Sequence, residues 1–105
     1  MKIAREKKYD SQAIKLLSEA FNSLVTPKEV QQFLTDLCTP AELQALADRW
    51  LVVSPLKKEM PYREIHEKTK VSVTTIGRVA RCLHSGSGGY ELAYERVRNN
   101  ANKNQ

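Results

Sequence analysis

Apolar residues recur along this chain at offsets 0, 3, 7 and 10, and no stretch shows the alternation of a half-buried strand. Ile14, Leu17, Phe21 and Leu24 form one such stripe, with Asp10 or Ser11 placed to cap the helix that carries it. Leu43, Leu46, Trp50 and Val53 form another. Between them, Thr26-Pro27-Lys28-Glu29 is a helix opening: threonine accepts from the first turn, proline has no N–H to lose there, and glutamate three residues on completes a capping box. That helix should bury Val30, Phe33, Leu34 and Leu37. The opening recurs thirteen residues later as Thr39-Pro40-Ala41-Glu42. The recurrence is not evidence of a repeat architecture: two helices can share a good opening by chance, and the period is too short for a solenoid unit. Pro55 should end or kink the third helix near Ser54. The expected fold is all-α, about six helices in a single domain spanning 1–105, with a basic N-terminal arm over 1–9. The breaker-rich segment from Ser85 to Gly89 precedes a last short helix carrying Tyr90, Ala93, Tyr94 and Val97. A polar tail from Asn99 (99–105) is expected to fray.

The segment from Pro61 to Leu83 (PYREIHEKTKVSVTTIGRVARCL) points to a function. A short amphipathic helix with Ile65 inside is followed by a turn at Lys70 and Val71, and Ser72 then caps a second helix. Two helices joined in this way make a helix-turn-helix over 61–84, whose second helix enters the DNA major groove. At about 100° per residue, Val73, Ile76, Ala80 and Leu83 share one side of that helix and Thr74, Arg78 and Arg81 the other. Its first turn offers Val73, Thr74 and Thr75: threonine hydroxyls bond either base type, and the methyls of threonine and valine can touch a thymine methyl. Arg63 suits a phosphate or a guanine edge. The rival is an ordinary helical hairpin with a solvated basic face.

Charge fits a nucleic-acid partner. The 105 residues carry a net +5, concentrated in Met1 to Lys8 and around Arg63, Lys68, Lys70, Arg78 and Arg81. The longest apolar run, Trp50 to Val53, is far short of the roughly 18 residues a membrane span needs. No apolar h-region follows the basic start, and Cys38 and Cys82 make no CxxC, which points to the reducing cytoplasm. Metal ligation is disfavoured because no CxxC or HxxxH pair is present. Cys82 with His66 or His84 is the one conceivable nucleophile pair, but on one helix side chains two apart face away from each other. A buried structural cysteine is the simpler reading, and an enzyme is not expected. Trp50, on its stripe, reads as core. Tyr62 reads as core or as a phosphate contact.

The segment resembles the tryptophan repressor superfamily, and within it the YerC/YecD-type branch of small bacterial proteins. The residues that carry the likeness are Leu37 to Leu46 (LCTPAELQAL), Asp48-Arg49, Glu59-Met60, Arg63-Glu64-Ile65, and Val73 to Ile76 (VTTI) with Arg78. The resemblance implies an all-α homodimer, intertwined through its N-terminal helices. Such a dimer is a repressor that reads a palindromic double-stranded DNA operator with two helices about 34 Å apart. It assigns DNA contacts to Arg63, Val73, Thr74, Thr75 and Gly77, and a co-repressor pocket to Thr39, Arg49 and Arg78. The family's glycine after the last of those arginines, which leaves room for an indole ring, is Val79 here, and a pocket serine is Cys82. These departures argue against tryptophan: Arg49 and Arg78 either bind another small effector or pair with Glu42 or Asp48. The family's turn glycine is also replaced near Lys70, and one residue is missing before Glu59. A helical interaction adaptor that keeps the fold without reading DNA is the alternative function.

Overall fold

The computed structural model describes residues 10–103, so the basic arm over 1–9 lies outside the described residues. Seven helices run along them and no strand is among them: α1 (Ser11–Asn22), α2 (Pro27–Leu37), α3 (Pro40–Leu51), α4 (Val53–Lys57), α5 (Tyr62–Thr69), α6 (Val73–Ser85) and α7 (Gly89–Lys103). By their internal contacts the described residues fall into two compact units, divided after Pro40.

The first unit is built on local signals. Asp10 caps α1, its carboxylate accepting from the amides of Gln12 and Ala13 at 3.0 and 3.2 Å. Thr26 Oγ1 accepts from the Glu29 amide at 3.1 Å, with Pro27 at the first helical position. The Glu29 carboxylate reaches back one residue further than a capping box requires and accepts from Val25 N at 2.8 Å. Phe21 of α1 meets Phe33 of α2 edge to face at 5.1 Å. No residue from 10 to 40 is fully buried.

That core lies in the second unit: Val52, Val53, Ile65, Val71, Ile76 and Val79, flanked by Leu56, Met60, Leu83, Tyr90 and Tyr94. Pro55 explains the seventh helix. Without an N–H, and with its ring against the carbonyl four residues back, it cannot continue a helix through Leu51. The chain therefore breaks at Val52, two residues earlier than Ser54, and restarts as the five-residue α4. The break turns both Val52 and Val53 inward. Trp50 and Leu46 of the expected stripe are left 39% and 42% exposed, so Trp50 is not core. Lys57 of α4 ties to Glu91 of α7 at 2.6 Å and lies 5.8 Å from the Tyr94 ring.

Two backbone positions have specific causes. An ideal Cβ on Gly86 would stand 2.5 Å from the Cys82 carbonyl oxygen, while its own N–H bonds that oxygen at 2.8 Å to close α6. Gly88, at φ +88, turns the chain into α7. That helix runs to Lys103, with no proline or glycine after Gly89 to interrupt it.

Candidate nucleic-acid interface

The packing of α5 against α6 starts from Ile65 and Ile76, both completely buried. The turn between the helices is bracketed by side chains. Thr69 Oγ1 donates to the Ile65 carbonyl at 2.7 Å and accepts from Val71 N at 3.1 Å. His66 Nδ1 lies 2.7 Å from the Val71 carbonyl, a bond that requires the proton on that nitrogen. With Val71 itself buried, the turn is fixed from three sides. The sequence reading missed His66; nothing in its spacing announces a clasp.

Lys70 closes α5 in the left-handed conformation, φ 65 and ψ 9, its amide donating to the His66 carbonyl at 2.8 Å. A side chain there costs free energy that glycine would not incur. Lys70→Gly is therefore expected to raise stability by about 0.5–1 kcal/mol, a shift of a few degrees in the thermal midpoint. An unchanged or lowered midpoint would mean that the lysine side chain itself holds the turn.

Ser72 caps α6, its Oγ accepting from Thr75 N at 3.1 Å. The helix is two-sided. Ile76 and Val79 are buried, while Thr74, Arg78 and Arg81 are exposed. The wheel misassigned two positions: Val73 is 51% exposed, and Val79 joins the core. Ile76 and Val79 join Val52, Val53 and Ile65 in one core cluster, and Val73 is not part of it. Thr75 and Gly77 are half-buried. A Cβ on Gly77 would lie 4.0 Å from Tyr62 Cε2, so the Tyr62 ring, itself 43% exposed, covers that stretch of α6. Arg63, second residue of α5, is exposed.

Beside this face is a cleft of about 260 Å³ lined by Ala45, Asp48 and Arg49 of α3, by Thr75, Arg78, Val79 and Cys82 of α6, and by Tyr90 of α7. The fold thus brings Arg49 and Arg78 to one wall with Thr75, whereas Thr39 is an exposed residue of the first unit. Neither arginine forms an ion pair among the described residues; Asp48 accepts from Gln44 Nε2 at 2.8 Å instead. Cys82 is exposed rather than buried, because its position on the wheel falls on the cleft side of α6. Tyr90, read from sequence only as part of a helical stripe, forms the α7 side of the cleft.

The sequence model for the Trp repressor protein family matches residues 12–98. The chain belongs to the Trp repressor family. Its family is a regulatory, DNA-binding one and not a family of enzymes. Over 87 residues the chain is 40% identical to the uncharacterized protein YerC of Bacillus subtilis, covering 80% of this chain and 84% of that protein. Two crystal structures share the fold. One is a TrpR-like protein from Eubacterium eligens (TM-score 0.76, 38% identity, 82% of this chain and 89% of that one). The other is a candidate Trp repressor from Staphylococcus aureus (TM-score 0.77, 33% identity, 83% and 87%). No helix among the described residues is long and apolar enough to cross a membrane.

Proposed function

We propose that this chain is a cytoplasmic, homodimeric transcriptional repressor that recognises a palindromic operator through α5 and α6. The observation that carries the reading is the division of α6. One side is buried against α5 from Ile76 on, the other presents Thr74, Arg78 and Arg81, and Val73 is exposed in the first turn beyond a bracketed turn. Arg63, Val73, Thr74, Thr75 and Gly77 form the DNA-facing set, with Arg63 and the other cations supplying the salt-dependent part of affinity. Dimerisation is supported by apolar side chains that one copy leaves in water: Ile14, Val25, Leu37, Leu51, Leu92 and Val97 are each 47% exposed or more.

The cleft with Arg49 and Arg78 is the effector site, with Thr39 assigned to it by family likeness. Two guanidinium groups without ion-pair partners favour a ligand bearing negative charge. Val79 and Cys82 on its wall take up space that an indole ring would need, which disfavours tryptophan as the effector.

Selection of bound duplexes from a random pool, with and without a panel of metabolites, tests the reading. The expected product is a palindrome with half-site centres about 34 Å apart, bound less tightly as salt rises. A stable dimer with only weak, salt-screened binding and no preferred sequence would instead mark an interaction adaptor.

A further inference from the structure

We infer that Gly77 and Tyr62 form a seat for the sugar-phosphate strand, in which one deoxyribose of each half-site lies against the bare backbone of α6. The inference rests on the DNA-reading role proposed above and adds which part of the duplex this spot receives. Gly77 lies inside a helix of 13 residues, where glycine is destabilising relative to alanine. The fold does not ask for it. Among the described glycines only Gly88 has a positive φ. Nor would a side chain be crowded out: a Cβ on Gly77 meets nothing nearer than Tyr62 Cε2, at 4.0 Å, which is ordinary contact. Gly86 is the contrast, since a Cβ there would stand 2.5 Å from the Cys82 carbonyl oxygen. The remaining use of a missing side chain is close approach of another molecule to the helix backbone.

The surroundings identify that molecule. Residues i, i+4 and i+8 follow one line along a helix, spaced by about 6 Å. On α6 these are Val73, Gly77 and Arg81: an exposed apolar side chain, a gap and an exposed cation. The cleft lies against other residues of the helix, Thr75, Arg78, Val79 and Cys82. Beside the gap stands the Tyr62 ring, 43% exposed, and the next residue of α5 is the exposed Arg63. Neither Arg63 nor Arg81 forms an ion pair among the described residues. Two unpaired guanidinium groups flanking an apolar gap match a strand that alternates phosphate with sugar. The phosphates bond the arginines. The deoxyribose between them packs its C–H face on the Tyr62 ring and the helix backbone. A base edge fits this spot less well, because base contacts come from the N-terminal residues of the reading helix and Gly77 is a turn beyond Val73.

The test compares the wild-type chain with Gly77→Ala and Gly77→Leu on the selected duplex and on its single-base variants. Alanine and leucine both favour a helix, so both variants should melt higher than the wild type, by about 2–8 °C for alanine. Both should nevertheless bind less tightly. The loss should be about 30-fold or more for alanine, because each of two half-sites takes on an overpacked contact, and larger still for leucine. The affinity ratios between single-base variants should stay as in the wild type. Hydroxyl-radical cleavage attacks deoxyribose and reads the contact directly at saturating protein. The wild type should protect a sugar in each half-site that both variants, and a folded Tyr62→Ala, leave open to cleavage. A lower melting temperature for Gly77→Ala would mean that the fold needs the glycine. Unchanged affinity with the wild-type footprint would mean that no strand approaches it. Either result overturns the seat, and a wild-type footprint in Tyr62→Ala alone removes Tyr62 from it. A loss confined to one base pair of each half-site would place a base edge over Gly77 and overturn the assignment to sugar. In all these cases the wild type still selects its sequence, and the reading role stands. If the wild type selects no sequence, that role fails and the inference with it.

Discussion

Ile76→Ala is expected to remove about 2–5 kcal/mol of folding stability, the range for a large aliphatic side chain cut back in a packed core. Ile76 has no exposed surface and belongs to a core of six fully buried residues. Nothing in so small a cluster can move to refill the space without disturbing Ile65 or Val79. A domain of this size has about 5–15 kcal/mol in total, so the loss is a third or more of it at the lower end. Urea unfolding at fixed protein concentration measures the effect. Val73→Ala is the matched comparison. The two positions share a side of the α6 wheel, yet Val73 is half exposed, and truncating it should cost no more than about 0.5 kcal/mol. Equal losses at the two sites would mean that the first turn of α6 is packed inward, and that it cannot enter a groove.

The comparison of those two valine and isoleucine positions shows what could be read from letters alone. Capping is local chemistry, so Asp10, Thr26 and Ser72 announced their helices, and all three accept the expected amide protons. The turn was legible for the same reason, although its bracket by His66 and Thr69 was not, because those bonds span the turn and depend on its angle. Exposure depends on what other helices bring. Leu46 and Trp50 sit on a clear apolar stripe, yet the break forced by Pro55 directs the following valines inward in their place. Val79 falls at the edge of the apolar arc, and only the packing of α4, α5 and α7 decides that it is core while Cys82, one turn on, is open to the cleft. The pairing of Arg49 and Arg78 across α3 and α6 is likewise a tertiary fact; spacing by itself allowed either a partner carboxylate or none.

Arg63→Ala is expected to weaken operator binding by about 2–6 kcal/mol, roughly 30- to 25,000-fold. A single arginine contact to a base edge is worth about 1–3 kcal/mol, and a homodimer on a palindrome loses it twice. Arg63 is exposed at the second position of α5, and it forms no ion pair among the described residues, so its guanidinium needs no internal bond broken to reach DNA. The adjacent Glu64 is occupied by Lys68 at 3.1 Å, which keeps the nearest carboxylate from competing. The folded state should be almost unaffected, in contrast with Ile76→Ala, because a solvated side chain outside the core contributes little to stability. Titrations on the selected duplex and on a scrambled one, each at several salt concentrations, separate the two kinds of contact. A phosphate contact weakens both duplexes alike and lowers the salt slope by about two per dimer. A guanine contact weakens only the selected duplex and relaxes one position in each half-site. Unchanged affinity for the selected duplex, with a normal thermal melt, would remove Arg63 from the interface and leave Lys68, Lys70 and α6 to supply the contacts.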